Sequence, residues 1–132
     1  MSPLSCTLLV DDDETTNYLN QALLRRLAIT DTILVATNGQ QALDLLHIHC
    51  EQLASPTCPA LILLDMKMPV MNGLQFLEAY QQRASGRPAV VIMLTTSLNP
   101  SDVTQMERLP IAGYLTKPLT KEKLQQVLQA HF

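Results

Sequence analysis

The chain has 132 residues, 47% hydrophobic and 16% charged, with a formal net charge of −3 at pH 7. One domain's length with this much apolar content can bury a core, which excludes a disordered protein. The acidic balance excludes a general nucleic-acid binder, which needs a basic surface, and no apolar run approaches the length of a membrane span. Met1-Ser2-Pro3-Leu4-Ser5 lacks the charged-then-apolar form of a secretory signal. A single cytoplasmic domain over residues 1–132, with its core from about residue 6, is expected.

The chain alternates strand and helix throughout. Cys6 to Val10 reads as a short buried strand, cut off by Asp11-Asp12-Asp13-Glu14. Cys6 itself is expected as a small buried apolar residue. A helix follows from about Thr15 to Leu27, with Leu19, Leu23, Leu24 and Leu27 as its apolar stripe. Ile33 to Ala36 is the second strand. Asn38 is a good N-cap for the next helix, with Gln41 completing part of a capping box and Ala42, Leu45 and Leu46 facing inward.

Glu51 to Pro59 reads as an extended loop, flanked by Cys50 and Cys58. Those two cysteines could approach each other, but a reducing cytosol predicts free thiols. His47, His49 and Cys50 are metal-ligand residue types, yet residues two apart do not share a helix face, so a solvated helix end is expected. Ala60 to Leu64 is the third strand, ended by Asp65. Met66 to Gly73 is a loop by its Pro and Asn-Gly content, and a helix from about Gly73 to Ala84 carries Leu74, Leu77, Tyr80 and Ala84 on one stripe. Ala89 to Leu94 is an apolar, β-branched fourth strand. Pro100 opens a short helix ending near Glu107, Ile111 to Leu115 is the fifth strand, and Thr120 caps a last helix that buries Leu124, Val127 and Leu128.

This alternation predicts an α/β fold with a parallel sheet covered on both faces. The uniformly apolar first, third and fourth strands belong in the centre and the mixed second and fifth at the edges. The strand order is then 2-1-3-4-5, the flavodoxin-like doubly wound arrangement. In such sheets ligands bind beyond the carboxyl ends of the strands. Asp11, Asp12 and Asp65 should therefore meet in one pocket, with a hydroxyl from Thr95 and an ammonium from Lys117 on the same edge. Clustered carboxylates repel unless a cation is shared between them, and a hard divalent ion with oxygen ligands suits them. The set points to phosphoryl chemistry, which depends on positioning and on neutralising charge at the phosphoryl oxygens. Asp65 could itself act as nucleophile, since carboxylates form acyl phosphates.

Four motifs, in order and over nearly the whole chain, carry a resemblance: Val10-Asp11-Asp12, Leu64-Asp65-Met66-Lys67-Met68-Pro69-Val70-Met71-Asn72-Gly73, Leu94-Thr95-Thr96 and Tyr114-Leu115-Thr116-Lys117-Pro118. From about Cys6 to Phe132 the sequence resembles the receiver domain of two-component response regulators, in the stand-alone form typified by the chemotaxis response regulator. The resemblance implies that Asp65 accepts a phosphoryl group from a sensor histidine kinase or a histidine phosphotransfer protein. It implies that Asp11, Asp12, Asp65 and the backbone carbonyl of Lys67 hold Mg²⁺ (or Mn²⁺). Thr95 and Tyr114 would form the conformational switch, Lys117 would pair with the phosphate, and Pro118 would follow a cis peptide bond. Lys67, Thr96 and Ser97 would govern access to the phosphate. The output face would be the fourth helix, fifth strand and fifth helix, read by a downstream protein and not by nucleic acid or membrane, with the chain a monomer or a phosphorylation-dependent dimer.

Several positions depart from the usual pattern. Thr96 is larger than the customary residue after the switch threonine and is expected to slow hydrolysis of the acyl phosphate. Asn72-Gly73 stands where Asp-Gly is frequent, and Leu109-Pro110-Ile111 is expected to shorten the fourth helix. Two other classes of function compete: a constitutive interaction module that never uses phosphate, and a Mg²⁺-dependent phosphohydrolase. The second usually needs a carboxylate two residues after its nucleophile, where this chain has Lys67.

Overall fold

A computed structural model describes residues 4–50, 57–66, 68, 70–82, 89–96 and 99–132. Ten elements alternate along it: β1 (Leu4–Val10), α1 (Glu14–Arg26), β2 (Thr30–Ala36), α2 (Gly39–His49), β3 (Leu61–Asp65), α3 (Gly73–Gln81), β4 (Val90–Thr95), α4 (Pro100–Glu107), β5 (Gly113–Thr116) and α5 (Lys121–His131). The strands form one parallel five-stranded sheet in the order β2-β1-β3-β4-β5. This is the flavodoxin-like arrangement expected from the alternation of apolar runs.

Strand side chains alternate between faces, and each central strand feeds both layers of core. Leu8, Val10, Ile62, Leu64, Val91 and Met93 pack with Ala42, Leu46, Phe76, Leu77 and Met106 of α2, α3 and α4. Leu9, Leu61, Leu63, Ile92 and Leu94 pack with Leu24, Leu124 and Val127 of α1 and α5. Every residue of β3 is buried, whereas β2 and β5 are mostly half-buried, as edge strands should be.

The packing revises three expectations. In α1 the inner face is Asn17, Asn20 and Leu24, with Leu23 and Leu27 packed beside them, and Leu19 is 59% exposed. The helix is rotated from the all-leucine stripe because Asn17 must reach the Asp11 carbonyl. In α3 the fully buried anchor is Phe76, stacked on Tyr80 with ring centroids 5.8 Å apart, while Ala84 lies outside the described residues. Cys50 and Cys58 are not free thiols but form a disulfide, with Cα atoms 4.7 Å apart. That separation lies inside the range of roughly 4.4–6.8 Å that a disulfide needs. Both cysteines are buried in the α2-side core, which places the two loop ends within reach of each other. A 3.0 Å hydrogen bond between His49 Nδ1 and Thr57 Oγ1 closes the same loop. Residues 51–56 of the expected loop lie outside the described residues.

All five helices start with a side-chain cap: Asp13, Asn38, Asn72, Asn99 and Thr120 each accept a hydrogen bond from the first turn. Asn72 and Gln75 form a complete capping box. Gln41 reaches one residue further back than expected, accepting from Thr37 N and Thr37 Oγ1. The α4 helix has eight residues, Pro100–Glu107, the span expected from Pro100 at its start and Pro110 beyond its end.

The α1 helix ends with Ala28 at φ 51°, its N–H bonded to the Arg25 carbonyl and the Ile29 N–H to that of Leu24. This is the left-handed cap that usually selects glycine. Ala28 is exposed and packs against nothing in either core. Ala28→Gly is expected to raise stability by about 0.5–1 kcal/mol, because relief of the left-handed strain outweighs the added backbone freedom of the unfolded chain. A chemical-denaturation midpoint measures it.

Candidate functional site

The site is assembled by strand register. Val10 pairs with Leu64, so the next residues, Asp11 and Asp65, emerge side by side from β1 and β3. Asp11 is fixed on every side. Its N–H donates to the Ala36 carbonyl at 3.1 Å, its carbonyl accepts from Asn17 Nδ2 at 2.8 Å, and its Oδ1 accepts from Asp13 N at 2.9 Å. Asp12 follows and is exposed. Asp11, Asp12 and Asp65 can each bring a carboxylate oxygen within 4.8 Å of the other two. Among the described residues no other group of His, Cys, Asp or Glu does this, so His47 and His49 join no such cluster.

Asp13 is used elsewhere. It caps α1, accepting from Thr15 N at 3.0 Å and Thr16 Oγ1 at 2.9 Å. Hydrogen bonds from Thr16 and then Thr15 hold its carboxyl below the usual range.

Lys117 arrives from the end of β5. Its Nζ lies 2.7 Å from Asp11 Oδ2 and 3.3 Å from Asp65 Oδ1. Burial pushes the ammonium pKa down, but the hydrogen bond to Asp11 and the charges of Asp65 and Asp11 outweigh it, so the net shift is upward from 10.5. A raised folded-state pKa means that the pair's contribution to stability is full below 10.5 and is lost only as pH rises through the folded value. Lys117 is thus a fixed cation at neutral pH. Three carboxylates (−3) and one ammonium (+1) leave a charge of −2 at this edge.

Thr95, at the end of β4, is buried, and its carbonyl accepts from Lys117 N at 2.8 Å. Met93 pairs with Tyr114 and Thr95 with Thr116. By strand alternation Thr95 and Tyr114 therefore lie on the same face of the sheet, where Tyr114 is half-buried against the α2-α3-α4 core. Thr96 is exposed. With Lys117, Pro118 and Leu119 it lines a cavity of about 710 Å³ against Thr16, Leu19 and Leu23 of α1. The Lys117–Pro118 peptide bond is cis. Lys67 and Ser97 lie outside the described residues.

The loop after Asp65 is laced back at both ends. Gly73 N donates to the Met66 carbonyl and Gly39 N to the Met71 carbonyl, each at 3.1 Å. A Cβ on Gly73 would stand 2.9 Å from the Asp65 carbonyl oxygen, so this close approach requires glycine. Asn17 is a site residue that the sequence reading missed. A polar residue one turn into α1, beside a strand-end acid, was the available signal.

Comparison with known proteins agrees with this geometry. The family described as "Response regulator receiver domain" matches residues 7–129. The chain is 31% identical to response regulator Rcp1 of Synechocystis over 128 residues, covering 97% of this chain and 86% of that one. It is 34% identical to two-component response regulator 24 of Arabidopsis thaliana over 121 residues, covering 92% and 79%. A two-component response regulator structure from Cytophaga hutchinsonii superposes with a TM-score of 0.81 at 28% identity, covering 95% of this chain and 94% of that one. The chain belongs to the response regulator receiver-domain family of two-component signalling.

Proposed function

We propose that Asp65 is the phosphoacceptor of a Mg²⁺-dependent signalling switch. The observation that carries this reading is the meeting of Asp11, Asp12 and Asp65 at one sheet edge, with Lys117 bridging Asp11 and Asp65. The donor set suits a hard divalent cation. It is all oxygen and anionic, and its residual charge of −2 equals what such an ion offsets. Asp11, Asp12 and Asp65, with the Lys67 carbonyl, would hold Mg²⁺ or Mn²⁺. When bound, the ion supplies charge neutralisation at the phosphoryl oxygens.

A carboxylate oxygen of Asp65 attacks the phosphorus of a phosphohistidine. The new O–P bond forms as the P–N bond breaks, and the imidazole leaves carrying the bond's electron pair. Asp65 is 8% exposed, enough to meet a donor and too little to be freely hydrated. Lys117 lies 3.3 Å from Asp65 and can pair with the incoming phosphoryl oxygens. The Thr95 hydroxyl would supply a further hydrogen bond there. A shift of Thr95 toward the phosphoryl group would free space on the face it shares with Tyr114, which would turn inward and re-form the surface of α4, β5 and α5. Phosphorylation adds about −1.5 to −2 charge, which biases this two-state element.

The donor would be a sensor histidine kinase or a histidine phosphotransfer protein, and the receiver of the signal a downstream protein. The chemistry is confined to the chain's own phosphorylation and dephosphorylation. Among the described residues no helix is long and apolar enough to cross a membrane.

Incubation with phosphoramidate and Mg²⁺, followed by intact-mass measurement, tests this reading. One added phosphoryl group on wild type is expected, and none on Asp65→Asn or without Mg²⁺. A folded wild type that takes up no phosphoryl group would favour the phosphate-independent module. Turnover of many phosphate-ester molecules per chain would favour the phosphohydrolase. Thr96→Ala is expected to speed loss of the phosphoryl group several-fold by opening the approach beside Lys117, and a chase by intact mass measures it. An unchanged lifetime would remove Thr96 from the control of hydrolysis.

A further inference from the structure

We infer that Lys123 is a positioning residue for Lys117, clamping the backbone on both sides of it; this rests on the phosphoacceptor reading above. Lys123 lies in the first turn of α5, where its N–H donates to the cap hydroxyl of Thr120 at 3.3 Å. Its side chain turns back toward the end of β5. The ammonium donates to the Thr116 carbonyl at 2.7 Å, to Thr116 Oγ1 at 3.1 Å and to the Pro118 carbonyl at 3.0 Å. An ammonium has three N–H donors, and three oxygens take them. The acceptors belong to the residues immediately before and after Lys117.

Lys123 breaks a local rule. The N-terminal turn of a helix carries partial positive charge and favours acidic side chains, so a lysine there is electrostatically misplaced. Ordering a long side chain also costs rotamer freedom. Such exceptions concentrate at sites where function imposes them. Here the exception holds residues 116–118, whose conformation sets where the Lys117 stem begins. On the β4 side the same segment is fixed by Lys117 N donating to the Thr95 carbonyl. On the α5 side Lys123 holds it. With both anchors the Lys117 ammonium meets Asp11 at 2.7 Å and Asp65 at 3.3 Å. Without the second, residues 116–118 lose a charged tie and the ammonium a fixed origin. Phosphoryl transfer depends on positioned charge, and displacement of about 1 Å can cost up to ~10²-fold in rate.

The test compares wild type with Lys123→Met and Lys123→Arg by two readouts. One is the rate of phosphorylation by phosphoramidate at fixed Mg²⁺. The other is the side-chain ammonium resonance of Lys117 in ¹⁵N-labelled protein, with no phosphodonor present. Lys123→Met is expected to slow phosphorylation about tenfold and to move or broaden the Lys117 resonance, and Lys123→Arg to restore most of both. The inference is overturned if folded Lys123→Met keeps either the wild-type rate or the wild-type Lys117 resonance, or if Lys123→Arg restores neither. If Lys123→Met does not fold, Lys123→Gln, which keeps two amide donors, is judged by the same criteria. A wild type that accepts no phosphoryl group would sink the phosphoacceptor reading, while the resonance would still decide whether Lys123 positions Lys117.

Discussion

The Lys117 ammonium sits 2.7 Å from Asp11 and 3.3 Å from Asp65, and the geometry of the site depends on this shared cation. Two nearly buried carboxylates side by side repel each other. The ammonium lies between them and offsets part of that repulsion. Breaking a buried pair by removing one partner costs roughly 3–5 kcal/mol, with less expected at an edge that retains some water. The pair therefore stores charge in a defined arrangement more than it stabilises the fold. It does not neutralise the edge, because one positive charge faces the three carboxylates of Asp11, Asp12 and Asp65.

The parallel sheet brings these groups together from distant parts of the sequence. Asp11, Asp65, Thr95 and Lys117 each close or follow a different strand, and the sheet directs all four ends to one edge. The helices beyond that edge begin with side-chain caps, which fix the connecting turns. Asp13 is spent on such a cap, which is why an acidic run of four residues from Asp11 yields only two candidate metal ligands. The loop after Asp65 is tied to α2 through Gly39 and to its own start through Gly73. The acidic pocket is thus supported from beneath by backbone hydrogen bonds.

Much of this was legible in the sequence because its signals were strong and local. Uniformly apolar runs marked β1, β3 and β4 as central, and their abrupt acidic or hydroxyl endings marked the functional edge. Asn38 and Thr120 were readable as caps, since a cap is a contact within one turn of its own helix. What escaped was set by contacts between elements. The phase of α1 could not be found by counting leucines, because the Asn17–Asp11 contact turns Leu19 outward. Phe76 was missed for a related reason: leucines at helical spacing drew the α3 stripe one position away from its aromatic anchor. The Cys50–Cys58 disulfide was discounted on the ground of cellular compartment, and the convergence of the two buried loop ends is a contact between elements that the sequence does not display. Nothing in the sequence singles out Lys123, because its acceptors are set by the path of residues 116–118.

The central claim is that an edge of three carboxylates and one ammonium is arranged to take a divalent cation. A Mg²⁺ titration of ¹⁵N-labelled protein, followed by backbone amide shifts, tests it most directly. The account predicts saturable shifts concentrated at the ends of β1 and β3 and in the loop after Asp65, and their loss in Asp12→Ala with the fold intact. Shifts that are absent, that never saturate, or that persist unchanged in Asp12→Ala would contradict it.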